Sequence, residues 1–242
     1  MKVIGIIPSR YESSRFPGKP LIDLKGKSMI QRVYEGALKS DLLDEVIVAT
    51  DDQRIYNHVK SFGGNVEMTL KEHPSGTDRC GEIAANIAAD VIVNIQGDEP
   101  LIDARQINQV IEAFKDTTVQ IATLGTHAIE MEDLLNPNRI KIVTNQQNDA
   151  LYFSRSPIPN FANFKQNPTS FYPFYKHIGL YAYRKECLLK LVNLAPTALE
   201  QIESLEQLRW MYYGFDIRIV TTTIETPNID VPEDVEKVMG LL

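Results

Sequence analysis

Two cysteines, one tryptophan and four histidines are all that a chain of 242 residues carries of those types. Cys80 and Cys187 stand far apart and form no Cys-x-x-Cys pair. That argues against a zinc ribbon or a disulfide framework and leaves two reduced thiols. No apolar run approaches the roughly 18 residues that a membrane-crossing helix needs. The opening MKVIGIIPSR has an apolar stretch too short for a secretory signal, so a cytoplasmic protein is expected. Positive charge is also short. There are 25 Lys and Arg against 32 Asp and Glu, a net charge of −7, whereas a nucleic-acid binder usually carries the opposite sign. Several motifs are missing: Gly-x-Gly-x-x-Gly after the first strand, a P-loop, a Gly-x-Ser-x-Gly elbow and His-Glu-x-x-His. The local signals for dinucleotide, P-loop, serine-hydrolase and zinc-protease chemistry are therefore absent.

What is present alternates. Apolar runs at 2–7, 45–50, 65–69 and 90–96 read as strands. Helical patterns fall at 28–40, 53–61, 77–89 and 104–115. In the first of these, Met29, Ile30, Val33, Ala37 and Leu38 share one face. This rhythm predicts a parallel sheet with helices on both faces. The second half is mixed. Strands are expected at 119–124, 140–145, 150–155, 178–184 and 216–224, and helices at 185–194, 202–214 and 232–242. Residues 156–177, rich in Pro, Asn and aromatics, read as a long loop of the kind that serves as a lid or a partner contact. No linker separates the halves, so one domain with an inserted subregion is expected.

In open parallel sheets ligands gather at the carboxyl ends of the strands. Three polar clusters fall there. IIPSRYESSRFPGKPL, residues 6–21, places Arg10, Arg15 and Lys19 on a loop stiffened by Pro8, Pro17 and Pro20. Those cations, with Ser9, Ser13, Ser14 and the turn-forming Gly18, are what a flexible triphosphate needs to be held in one pose. A solvated basic loop is the competing reading. QGDEP, residues 96–100, brings Asp98 to a strand end, where a carboxylate suits Mg2+. Asp230 in NIDVPED could cap the last helix; convergence with Asp98 would make it a metal ligand instead. HPSGTDR sets Ser75, Gly76 and Thr77 before a helix, either as an anion- or base-reading turn or as an N-cap at Thr77. His58 and His127 lie in polar contexts and are expected at the surface. His177, between aromatics, reads as a packing histidine or a site residue.

Taken in order, IIPSRYESSRFPGKPL, VATDD, HPSGTDR, VNIQGDEPLI, ALYFSRSPIP, KHIGLYAYR, LEQIESLEQLRWMYYG and IDVPEDVEKV resemble the 3-deoxy-manno-octulosonate cytidylyltransferase (CMP-Kdo synthetase) family over essentially the whole chain. The resemblance implies a glycosyltransferase-A-like, Rossmann-like three-layer α/β sandwich. Its central sheet would be mainly parallel with a smaller mixed subregion. Residues 1–125 would form mainly the nucleotide-binding half, and 126–226 a sugar-binding and dimerisation subregion of a homodimer. The implied reaction transfers CMP from CTP to the anomeric hydroxyl of Kdo, with Mg2+ as cofactor, and supplies the activated sugar for lipopolysaccharide. By family pattern, Arg10, Ser13, Arg15, Lys19, Ser75, Gly76 and Arg79 bind the nucleotide, Arg15 and Lys19 also acting in catalysis. Asp98 and Asp230 hold the metal. Gln96, Arg155, His177, Tyr183, Glu206 and Gln207 line the Kdo pocket. The chain has IPSR for the common IPAR and NIDVPED for GIDTPED. Turnover of 8-amino-Kdo and a sugar-nucleotide sensor without turnover remain as alternatives.

Overall fold

The computed structural model describes residues 1–12 and 16–242, so Ser13 and Arg15 lie outside the described residues. Strands β1 (Val3–Ser9), β2 (Glu45–Thr50), β3 (Val66–Met68) and β4 (Val91–Asn94) alternate with helices α1 (Met29–Ala37), α2 (Gln53–Ser61) and α3 (Gly76–Asn86). Helix α4 (Ala104–Glu112) follows. The strands lie parallel in the order β3-β2-β1-β4. Their continuous apolar runs have a simple cause, because both faces of each strand are covered. Val3 and Ile7 of β1, Val46 and Val48 of β2, and Val91 and Val93 of β4 enter one core with Ile30, Val33, Ile55, Val59, Ile107 and Val110 of α1, α2 and α4. Ile4, Ile6, Ile47, Ala49 and Ile92 enter a second core with Cys80, Ile83 and Ala84 of α3. At about 1.5–3 kcal/mol for each fully buried aliphatic side chain, this two-sided burial holds the three layers together.

The second half supplies β5 (Ile121–Thr126), α5 (Met131–Leu135), β6 (Lys141–Thr144), β7 (Ala150–Ser154), α6 (Pro168–Phe171) and β8 (Tyr175–Arg184). It ends with α7 (Lys185–Leu191), α8 (Ala198–Glu203), α9 (Gln207–Tyr212), β9 (Arg218–Thr221) and α10 (Glu233–Met239). β8 inserts between β4 and β5, antiparallel to both, and β9 runs parallel to β5. The pair β6–β7 attaches to β8. Among the described residues nine strands thus form one mixed sheet whose first half is wholly parallel.

Several expectations need correction. The helix read over 202–214 is two helices, α8 and α9, separated by Ser204 in the left-handed region (φ 53°). Thr197 and Glu200 form a capping box that starts α8 ahead of the expected position. β8 begins at Tyr175, so His177 lies inside the strand. α3 begins at Gly76 with Ser75 as its N-cap, in place of Thr77. α5 and α6 fall where no helix was expected, α6 within the 156–177 loop. Leu38 is exposed at the end of α1. His58 is half-buried, its Nε2 lying 2.7 Å from Ser28 Oγ at the start of α1, whereas His127 is exposed.

Candidate active site

The registers Ser9↔Thr50 and Ile6↔Asn94 bring the carboxyl ends of β1, β2 and β4 to one edge of the sheet. The loops leaving β1 and β4 must then touch. A Cβ on Gly97 would stand 2.9 Å from the Pro8 carbonyl oxygen, and one on Gly76 would stand 3.1 Å from Pro8 Cγ. At Gly97, where the clash would be with backbone, only a residue without a side chain permits that approach. Gly18 (φ 74°) turns the first loop back, its N–H donating to Tyr11 O at 2.9 Å. A 3-10 turn over Lys19–Leu21 then sets Lys19 pointing inward.

Lys19 is where distant parts of the chain meet. Its Nζ donates to Asp98 Oδ2 at 2.9 Å and to the Ile229 carbonyl at 2.7 Å, and it lies 4.0 Å from Asp230 Oδ1. Ile229 N donates in turn to Asp98 O at 2.9 Å. The two carboxylates therefore flank one cationic centre beside the first loop. Asp230 does not cap α10. That helix starts at Glu233 with Pro232 as N-cap, and it is Asp234 Oδ2 that accepts from Asp230 N (2.8 Å) and Val231 N (3.0 Å). The carboxylates of Asp98 and Asp230 remain 26% and 40% exposed. Two hard, reachable carboxylates around an ammonium fit Mg2+, which takes one or two such ligands from protein and the rest from phosphate and water. Among the described residues no group of three or more His, Cys, Asp or Glu offers a more enclosed metal site.

Two clefts adjoin at this point. The first, of about 440 Å³, is lined by Ser9, Arg10, Lys19, Gly76, Gln96 and Asp98, with Arg79 at its wall. The second, of about 370 Å³, is lined by Gln96, Asp98, Arg139, Lys176, His177 and Thr226 among others. Gln96 and Asp98 are common to both. The register of β8 against β5 shifts at Thr123/Leu124, a bulge that places Gly179 beside the site. Gln96 Nε2 donates to the Gly179 carbonyl at 3.2 Å.

The remaining expected residues divide. Arg10 is exposed on the first cleft. Arg79 is 1% exposed and engaged with Asp51 (3.2 Å), Thr69 and the Leu70 carbonyl, so it braces the wall of that cleft. Ser75 Oγ lies 2.6 Å from Asp78 Oδ2 and 2.8 Å from Glu206 Oε1, two acceptors for one hydroxyl proton. Glu206 Oε2 also accepts from Thr77 Oγ1 at 2.6 Å. Glu206 thus ties the start of α9 to the start of α3, and burial raises its carboxyl above the usual range. His177 faces the second cleft while its ring packs against Phe153 and Tyr181. Its Nε2 lies 3.0 Å from Thr123 Oγ1, and burial pushes its pKa down to about 3.

Three residues expected in a sugar pocket are not among those lining the second cleft. Tyr183 is fully buried, packed edge-on to Trp210. Gln207 is buried in the first turn of α9. Arg155 donates to the carbonyls of Glu203 (2.7 Å), Pro137 (3.0 Å) and Ser204 (3.2 Å). Conversely, the second cleft gains Glu99, Arg139, Lys176 and Glu225, which were not anticipated. Burial and the neighbouring Asp98 carboxylate push Glu99 up to about 8. The Glu99 side chain could have been suspected from its place beside Asp98. Arg139, Lys176 and Glu225 carry no such signal: Arg139 and Lys176 reach the cleft through the pairing of β6 with β8, and Glu225 from the segment that follows β9.

The chain resembles known proteins over nearly its whole length. A cytidylyltransferase family model matches residues 4–219. A 3-deoxy-manno-octulosonate cytidylyltransferase of Parabacteroides distasonis is 53% identical, covering 100% of this chain and 98% of its own length. The protein of the same name from Geobacter metallireducens is 49% identical with the same coverage. A solved CMP:2-keto-3-deoxy-manno-octonic acid synthetase complexed with CTP superposes with a TM-score of 0.93 at 44% identity, covering 100% of this chain and 98% of that one. Parallel strands ending on a lysine-carboxylate centre between two clefts, together with these full-length matches, place the chain in the cytidylyltransferase family, among the 3-deoxy-manno-octulosonate cytidylyltransferases.

Proposed function

We propose that the chain transfers CMP from CTP to the anomeric hydroxyl of Kdo, releasing pyrophosphate. The observation that carries this reading is the shared wall. Gln96 and Asp98 border both clefts, so a nucleotide in the first and an acid sugar in the second would present α-phosphate and hydroxyl to each other at that wall. The C2 hydroxyl oxygen attacks the α-phosphorus in line and gives its proton to solvent, the α–β bridging P–O bond breaks, and pyrophosphate leaves with the bond pair. Arg10 and Lys19 face the first cleft and bind the triphosphate, with Arg15 assigned to the same task from its place in the sequence. Asp98 and Asp230 would hold Mg2+, which when bound neutralises charge on the phosphate oxygens. The remaining contribution of the chain is positioning, through the close contact of the Pro8 and Gly97 loops. A cytoplasmic homodimer is part of the same reading. Among the described residues no helix is long and apolar enough to cross a membrane.

The test is pyrophosphate release from each of the four nucleoside triphosphates with Mg2+ and either Kdo, 8-amino-Kdo, sialic acid or a sugar 1-phosphate. Release is expected with CTP and Kdo. CTP binding without release would favour a sensor, and release only with another sugar would move the substrate assignment. Asp98→Ala is expected to cut turnover by a factor of about a hundred or more, since it removes a group stabilising transition-state charge. Near-normal turnover in that variant would remove Asp98 from the proposed machinery.

A further inference from the structure

Lys141 of β6 is 0% exposed and makes no ion pair among the described residues. Its ammonium protons go to three main-chain carbonyls: Asn136 at 3.0 Å, Arg139 at 2.7 Å and Arg155 at 2.6 Å. Burying an ammonium is costly, and an apolar side chain would fill the same strand position without that cost. What the lysine does provide is shape. It draws two carbonyls of the segment 136–139 inward onto one centre. Arg155 hooks the same segment through Pro137 O and fastens it to Glu203 and Ser204.

Two side chains of that segment face the other way. Asn138 and Arg139 line the second cleft together with Gln96 and His177. The cleft has two cations of its own, and they differ. Lys176 is held between Asp133 (3.0 Å) and Glu225 (2.9 Å). Arg139 has one carboxylate neighbour, Asp133 Oδ1 at 3.6 Å, and its side chain is half exposed. A guanidinium in that setting can present its planar fork to a carboxylate on a ligand.

We propose that Lys141 is a positioning residue for the acid sugar. It fixes segment 136–139 so that Arg139 meets the sugar carboxylate, and Arg139 thereby selects sugars bearing that group. The inference rests on reading the second cleft as the Kdo site. It is tested by steady-state kinetics and thermal unfolding of the full chain as wild type, Lys141→Met, Arg139→Ala and the double variant. Lys141→Met and Arg139→Ala are each expected to raise KM for Kdo about tenfold or more, with KM for CTP within about twofold of wild type. Arg139→Ala should leave Tm unchanged. If Lys141 acts through Arg139, the double variant has nearly the same KM for Kdo as Arg139→Ala alone, a non-additivity that a purely structural lysine would not produce. A folded Lys141→Met enzyme with both KM values unchanged, or with both raised alike, would overturn the inference. So would an Arg139→Ala enzyme with unchanged KM for Kdo, which remains measurable even if Lys141→Met does not fold. Lack of Kdo-dependent turnover in the wild type would overturn the underlying functional reading, whereas normal wild-type turnover with indifferent variants would overturn this inference alone.

Discussion

At the scale of single residues, Lys19 gathers Asp98, the Ile229 carbonyl and Asp230 from segments far apart in the chain. Asp98 was legible from its place just after an apolar strand, whereas for Lys19 and Asp230 the sequence left a solvated loop and a helix cap as competing readings that only their convergence decides. What could not be read was which neighbour would claim a given side chain. Arg155 and Tyr183 look like site residues in one dimension, yet the fold commits Arg155 to three carbonyls and Tyr183 to the core. His177 shows how far burial can alter a residue that its sequence context leaves ambiguous. Its folded pKa is pushed down to about 3, against 6.5 for the exposed ring. Between those values the unfolded chain binds the proton and the folded one does not. The group therefore contributes stability above about pH 6.5, lost progressively as pH falls toward 3. NMR titration of the ring protons from pH 8 to 5 is expected to leave His177 unmoved. A His177 midpoint near 6.5 would disprove the buried, neutral ring.

At the scale of elements, the parallel half was legible because β1, β2 and β4 are apolar on both faces, a pattern that only a sheet covered twice would produce. Direction was not legible in the second half. The run over 178–184 gives no sign that it would enter the sheet antiparallel between β4 and β5, because pairing partners lie far away in sequence. Nor does helical periodicity across 202–214 reveal the break at Ser204, where a left-handed residue separates two short helices. The loops at the site follow from contact between elements, and that gives a prediction. At Gly97 a Cβ would come 2.9 Å from the Pro8 carbonyl, a backbone atom that cannot swing aside. Gly97→Ala must push the β4 loop away from β1, moving Gln96 and Asp98 with it. Overpacking of this kind costs about 1–3 kcal/mol of stability. A displacement near 1 Å at the shared wall would lower kcat by about a hundredfold. Denaturant unfolding and turnover measured on one preparation would check both, and a variant with wild-type kcat would show that the loop contact does not set the geometry.

At the scale of the whole molecule, the proposed function has an acidic chain hold a polyanion by concentrating cations such as Arg10 and Lys19 where the parallel strands end. Both clefts sit on one mixed sheet, with β8 joining the parallel half to β5 and β6, and through β5 to β9. A ligand seated at the ends of β1 and β4 should then protect strands it never touches. Nucleotide binding to the native state alone stabilises by about 2.7 kcal/mol when CTP is present at a hundred times its Kd. For a chain of this size each kcal/mol raises Tm by about 2–4 °C, so a shift of about 5–10 °C is expected with CTP and Mg2+. Chelation with EDTA should shrink that shift if Asp98 and Asp230 share the cation with phosphate. Asp98→Asn should then make the CTP-induced shift nearly the same with or without Mg2+. Calorimetry decides the mechanical part as well. One transition moving as a unit means the sheet couples both halves, whereas two transitions, of which CTP moves only the earlier or the later, would mean that the β5–β9 region unfolds on its own account.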